Sequence, residues 1–202
     1  MIGYVDCDFL LKLMACNLFW EVIVHLKLVK ENLRVTDSTP YSIGSKKRRL
    51  TYTDPVRDRV ICCAKDLTTI SPGNDPIMSL DLPDLDGGEQ MLLCAAISTP
   101  SSYLLTGDKR FLRALYQHNA LKEARTGLRG RVVCLEQAIL GAIALKGFDY
   151  VKERIVPFKD CDKALKAAFG SGGRSEQPNT ISVLQDYIAE IKQDCPDLLV
   201  NV

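Results

Sequence analysis

Hydrophobic positions along this chain follow two rhythms, short unbroken runs and longer stretches at helical spacing. Residues 2–5 are an apolar run that stops at Asp6 and predict a first strand. The spacing over 9–16 and 19–27 predicts two consecutive helices, and 33–36 a second strand followed by a polar turn at 37–40. Asp54-Pro55 predicts a helix start, Asp as cap and Pro at the first position. That helix runs from 56 to about 65, ahead of a weak third strand at 67–70. Residues 71–88 hold three prolines, three glycines and four aspartates and read as a loop.

The second half repeats the alternation more clearly. A helix is predicted over 88–98, a strand over 103–106, and a helix over 109–117 with Phe111, Leu112 and Leu115 on one face. A basic helix-and-turn connection at 120–130 leads to a strand at 131–135 and a helix at 136–146. Short, uninterrupted apolar strands alternating with helices predict an α/β fold, a parallel sheet covered on both faces. From residue 147 the chain reads as helical, with segments over 160–169 and 180–193 either side of a glycine-rich linker at 170–173. Ile181, Leu184, Tyr187, Ile188 and Ile191 share one stripe, so this extension either packs back or binds a partner. The chain therefore divides into a domain over 1–146 and a helical extension over 147–202.

Composition changes this picture little. At 202 residues, 47% hydrophobic and 25% charged, the chain can bury a sizeable core. A net charge of +1 means that any nucleic-acid contact rests on local basic patches. Asp6 and Asp8 interrupt the start before a signal-peptide core forms, and Lys12, Asn17 and Glu21 make 9–24 a buried helical stretch, not a membrane span. There is no CxxC among the eight cysteines, and Cys62, Cys63, Cys94 and Cys134 sit in apolar runs; buried, reduced thiols in a cytoplasmic protein are expected.

The candidate chemistry lies in acids placed where apolar runs stop. Asp6 closes the first run, with Asp8 two residues on; Asp108 follows 103–106; Glu89 opens EQMLLCAAI just after Asp86. Singly, each acid suits a structural task. Asp8 and Asp108 stand where N-caps stand, Asp86 and Glu89 have capping-box spacing, and Asp6 fits an ordinary strand end. Jointly they point elsewhere. Ligands of parallel α/β sheets bind outside the carboxyl ends of the strands, and gathered carboxylates repel unless a cation neutralises them. A hard divalent ion, Mg²⁺ or Mn²⁺, is the expected occupant. With only His25 and His118, and no GxSxG, GxGxxG or P-loop, other catalytic constellations have no support.

These residues resemble a known family. VDCDFLLKL is similar to the opening strand motif of PIN-domain nucleases, and LLTGDKRFLRAL to their later strand ending in Thr-x-Asp with a Phe three residues after the acid. DGGEQMLLCAAI resembles the helix before that strand, and RVVCLEQAI the final strand and its helix, so the resemblance covers about residues 1–146. It implies a parallel five-stranded sheet of order 3-2-1-4-5 and a Mg²⁺ or Mn²⁺ site that hydrolyses phosphodiester bonds, usually in RNA. By position it makes Asp6, Glu89 and Asp108 the catalytic, metal-binding acids, with Asp8 in support. The family often carries a further Glu after the second strand, where TDSTPYSIG places Ser42; Glu21, Asp37 and Asp86 are the acids available to replace it. One or two ions would polarise the phosphate and activate a water. Lys109, Arg110 and the run Lys46, Lys47, Arg48 and Arg49 are the groups expected to hold RNA phosphates, although solvated surface charge accounts for each as readily.

Two rival functions remain open. YVDCDFL and LLTGDKRF also resemble the haloacid dehalogenase phosphatases, which would make Asp6 a nucleophile and Asp8 a general acid. That family expects an Asp where Leu112 stands and a Lys before the strand, and no Lys occurs between Asp66 and Gly107. The other rival is a catalytically dead or weak domain whose C-terminal helix and basic loop mediate assembly, with an inhibitor or partner protein on that helix, or a homo-oligomer, as the expected partners.

Overall fold

The fold is that of a computed structural model, which describes residues 1–71, 73 and 75–201, and the side chains of all of these but Lys47. Residues 72 and 74 of the expected loop, and the side chain of Lys47 in the expected phosphate-binding run, thus lie outside the described residues. Strands β1 (Ile2–Val5), β2 (Leu33–Thr36), β3 (Thr68–Ile70), β4 (Ser102–Thr106) and β5 (Val132–Cys134) form one parallel sheet in the order β3-β2-β1-β4-β5. The expected α/β architecture and strand order are both present. Helices α1 (Cys7–Ala15) and α2 (Phe19–His25) link β1 to β2, and α3 (Thr39–Gly44), α4 (Lys46–Arg49) and α5 (Asp54–Lys65) link β2 to β3. Next come α6 (Gly87–Ser98) before β4, then α7 (Lys109–Gln117) and α8 (Lys122–Gly127) before β5. The chain ends in α9 (Leu135–Lys146), α10 (Phe148–Ile155), α11 (Lys163–Ala168) and α12 (Gln177–Asp194).

Alternation along each strand sends side chains to two cores. Val5, Leu105 and Val133 face one, with α1, α2, α5, α9 and α10; Tyr4, Leu104 and Val132 face the other, with α6, α7 and α8. The extension joins both. Leu165, Phe169 and Leu184 belong to the first core, and Ile191, Leu198 and Leu199 to the second. Of the two fates open to the α12 stripe, packing back is the one seen.

Several boundaries differ from expectation for local reasons. Residues 37–40, expected as a turn, already contain the start of α3, because a Pro is tolerated in a first helical turn. Thr53, not Asp54, occupies the N-cap position of α5, and Asp54 instead pairs with Arg57. Asp162 caps α11 by accepting from the N–H groups of Ala164 (2.7 Å) and Leu165 (3.2 Å), so that helix begins later than residue 160. The linker at 170–173 enters a 3-10 turn at Gly172–Arg174, where Gly172 has φ +61°. Cys62 is exposed and Cys63 half-buried, since α5 turns Val56, Val60 and Ala64 inward and leaves these thiols off that face. No helix among the described residues is long and apolar enough to cross a membrane.

The chain end makes a contact with no side-chain signature. Val132 N–H donates to Leu198 O (3.0 Å) and Val200 N–H to Val132 O (2.9 Å), covering the free edge of β5. Gln137 clamps this return: its amide donates to Val200 O (2.8 Å) and its oxygen accepts from Cys134 N–H (3.2 Å). Gln137→Leu strands both buried backbone groups, at a cost of about 1–3 kcal/mol. A melting temperature lower by roughly 2–12 °C is expected in differential scanning fluorimetry. An unchanged value would show that the clamp carries no load.

Candidate functional site

The strand order reverses between β1 and β4, and the carboxyl ends of these two strands hold Asp6 and, past Gly107, Asp108. Asp6 is buried and sits directly after β1, its N–H donating to Leu105 O (2.9 Å). Thr106, fully buried at the end of β4, joins the two acids. Its hydroxyl accepts from Asp108 N–H (3.1 Å) and donates to an Asp6 carboxylate oxygen (3.3 Å). This is the physical content of the Thr-x-Asp pattern: the Thr fixes one acid's orientation and the other's backbone.

No cation faces Asp6 within ion-pair distance among the described residues. Burial first, then the charges of Asp8 and Asp108, push its carboxyl up to about 7. Glu89, in the first turn of α6, is pushed up to about 8, chiefly by burial, with Asp86, Asp108 and Asp6 adding to it against a bond from the backbone of Asp86. The remaining acids are satisfied locally. Burial pushes Asp8 up, but the Lys12 ammonium (2.6 Å) and the Arg48 guanidinium more than offset it and hold it below the usual carboxylate range. Asp8 is therefore a charge-paired residue and not a cap. Asp108 does cap, accepting from the N–H groups of Arg110 (2.8 Å) and Phe111 (3.4 Å), and Arg110 Nη2 also donates to it (2.8 Å). These bonds keep it below the usual range despite burial. Asp86 and Glu89 form the expected capping box, each side chain accepting the other's N–H at 2.9 Å.

A cleft of about 120 Å³ is lined by Asp6, Asp86 and Glu89 with Thr36, Ser38 and Ser42, whereas Asp8 and Asp108 line a separate groove. Where the family resemblance implies a Glu, the lining is hydroxyl: Thr36 Oγ1 lies 3.0 Å from Ser38 Oγ and 2.9 Å from Thr39 Oγ1. The six residues that line the cleft with oxygen are hard donors around uncompensated negative charge, a set that fits Mg²⁺ or Mn²⁺ better than zinc; Cys7, Gly88 and Leu92 complete the lining. As they stand, no three His, Cys, Asp or Glu side chains among the described residues form a group that could hold an ion. Some of their oxygens are already engaged: Glu89 Oε2 and Asp108 Oδ1 accept helix N–H groups, and Asp108 Oδ2 accepts from Arg110.

The other expected residues scatter. Lys46 and Arg49 are exposed, while Arg48 turns inward to Asp8. Lys109 lies 3.2 Å from the buried Glu136 and over the Tyr187 ring. Glu21 accepts from the Tyr150 hydroxyl (2.6 Å) beside Lys30 and Asp66, which precede β2 and β3; it is at the amino ends of the strands, away from Asp6. Asp37 is exposed and lines a different cleft with Tyr41 and Lys65. His25 packs on α9 so closely that a Cβ on Gly141 would lie 2.3 Å from its ring. Residues not anticipated are Lys12, Thr106, Asp162 and Tyr187. The Asp8–Lys12 spacing of one helical turn is a readable signal; Asp162, which meets Lys12 at 2.7 Å, gives none. Comparison with protein-family models, curated proteins and solved structures finds no match.

Proposed function

We propose that this chain is a metal-dependent ribonuclease of PIN-like design, hydrolysing RNA phosphodiester bonds at the carboxyl edge of its sheet. The observation that carries the reading is Asp6: a buried carboxylate without a cationic partner among the described residues, pushed up to about 7 and faced by further acids at the topological switch point. A protein that keeps such charge together gains from a divalent cation. Asp6, Glu89 and Asp108 would hold Mg²⁺ or Mn²⁺, with Asp86 and the hydroxyls of Thr36, Ser38 and Ser42 around it. When bound, the ion supplies Lewis-acid polarisation of the phosphate and an acidified water.

The chain's own groups have defined tasks in this reading. Thr106 orients Asp6, and Lys12 with Arg48 keeps Asp8 ionised and out of the ligand set. Arg110, whose side chain is 78% exposed beside Asp108, can reach a substrate phosphate. The phosphatase alternative needs Asp8 to carry a proton as general acid, and its two cations oppose that. Assembly through the α12 stripe meets a similar objection, because Leu184 and Ile191 are buried in the chain's own cores.

Cleavage of a mixed-sequence RNA in Mn²⁺ tests the proposal, with Glu89→Gln and Asp108→Asn expected to lose at least about 100-fold in rate. Wild-type rates in both variants would overturn it. Phosphate release from p-nitrophenyl phosphate without RNA cleavage would favour the phosphatase.

A further inference from the structure

Lys12 and Cys16 stand one turn apart at the C-terminal end of α1 and so share a face of that helix. Both meet the C-terminal extension. Lys12 bonds Asp162 at 2.7 Å, and the buried Cys16 is in hydrogen-bond contact with Cys161, the residue before Asp162. Two consecutive residues of the extension therefore meet two consecutive turns of one helix. Tyr52, buried in the same core, adds a hydroxyl bond to the Cys161 sulfur. Cys161 is only half-buried, and Asp162 next to it lines a groove of about 360 Å³, a route for a small oxidant.

The two thiols are unequal. The bond from Cys16 lowers Cys161 most; burial opposes this, the Tyr52 hydroxyl and the Lys12 ammonium reinforce it, and Asp162 subtracts. The balance holds Cys161 below the usual thiol range. Donating that bond, together with burial, pushes Cys16 up. Burial pushes Cys7, Cys63, Cys94, Cys134 and Cys195 up as well. A half-exposed sulfur near an ammonium, touching a buried thiol, pairs a nucleophile with a resolving partner. We propose that Cys161 and Cys16 are a peroxide-reactive pair whose disulfide fastens the extension to α1. The Cys161 thiolate attacks one oxygen of hydrogen peroxide; the O–O bond breaks, leaving a sulfenic acid and releasing hydroxide. The Cys16 sulfur then attacks the sulfenic sulfur. The S–S bond forms, the S–O bond breaks, and the hydroxyl leaves with the Cys16 proton as water. The hydroxide takes up the proton that Cys161 gave, so two thiols and one peroxide become one disulfide and two waters. None of Asp6, Glu89 and Asp108 takes part, so the pair stands apart from the nuclease reading.

The test treats the reduced full chain with hydrogen peroxide, then alkylates and digests it without reductant for mass spectrometry. The expected product is a peptide pair joined through Cys16 and Cys161, about 2 Da lighter than the free thiols and parted by dithiothreitol. Cys161 should be consumed at least about tenfold faster than the exposed Cys62. In Cys16→Ser, dimedone should trap the sulfenic acid on Cys161, and Cys161→Ser should give no link. Circular dichroism checks the fold of each; if the buried Cys16→Ser fails to fold, the half-buried Cys161→Ser carries the comparison. The link closes a loop over residues 16–161, so oxidation should raise the wild-type melting temperature by roughly 4–16 °C. Consumption of Cys62 ahead of Cys161, or passage of wild-type Cys161 to the sulfinic acid without a link, overturns the pair. A link that leaves the melting temperature unchanged overturns the fastening. Mn²⁺-dependent cleavage by the reduced protein decides the nuclease reading separately.

Discussion

Replacing Asp6 with Asn is expected to stabilise the metal-free protein at pH 8 and, in the same molecule, to abolish Mn²⁺-dependent RNA cleavage. The stability half follows from proton linkage. The Asp6 carboxyl is raised from 3.8 to about 7 on folding, so between these values the folded state binds more protons than the unfolded one. Stability from this group is therefore lost as pH rises through that window, and the penalty is complete above it. Its size at pH 8 is on the order of 4 kcal/mol. Asn keeps the acceptor for the Thr106 hydroxyl and carries no charge, so it escapes the penalty. In EDTA the variant should melt well above wild type at pH 8 and close to it at pH 4. Added Mn²⁺ should reverse the order, raising the wild type alone, and more strongly at pH 8 than at pH 6 because Asp6 and Glu89 must be deprotonated to bind. A variant that is less stable than wild type at pH 8 in EDTA, or that still cleaves, contradicts this account. Structural carboxylates do not behave this way; an acid whose removal stabilises the fold is kept for another reason.

What could be read from the sequence was whatever has a local period or a local partner. The short apolar runs located the strands because a parallel sheet is buried on both faces, and an unbroken apolar run between turns suits such a strand better than any surface element. The Asp86–Glu89 box and the Asp108 cap were equally legible, since their partners lie three residues away or fewer. The illegible parts are long-range or carried by the backbone. Asp162 reaches Lys12 across 150 positions, and no composition or spacing announces the pair. The return of residues 198–200 to β5 uses N–H and C=O groups that nearly every residue has. Its place directly after Asp108 points Lys109 at a phosphate, yet Glu136 and Tyr187 claim it from elements that meet α7 only in the folded chain. Glu89 and Asp108 serve the fold and the candidate site at once: the oxygens that cap α6 and α7 are the ones a cation would recruit.

Lys12→Met is expected to be the most destabilising single substitution at the site. Lys12 is itself buried, 2.6 Å from Asp8 and 2.7 Å from Asp162, and it ties α1 to the cap of α11. Removing one partner from a buried charge network strands the others, at about 3–5 kcal/mol. Here the lower end applies, because Asp8 keeps Arg48 and Asp162 keeps its helix N–H groups. A fall of roughly 6–12 °C in melting temperature is expected at about pH 7. Its pH dependence should have the opposite sign to that of Asp6. The folded-state carboxyl of Asp8 is lowered, so its stabilisation is present above the unfolded value of 3.8 and is lost as pH falls through the folded one. The gap between wild type and Lys12→Met should therefore narrow in acid. Adding Asp162→Asn to Lys12→Met removes one stranded charge while keeping a good cap, and should recover part of the loss. A single variant within about 2 °C of wild type, or a double variant below the single one, would rule the network out as the anchor of the extension. Asp6 and Asp8 stand two residues apart, and their surroundings push them in opposite directions. That divergence is what the proposed metal site requires: one acid free to ionise with a cation, the other committed to the scaffold.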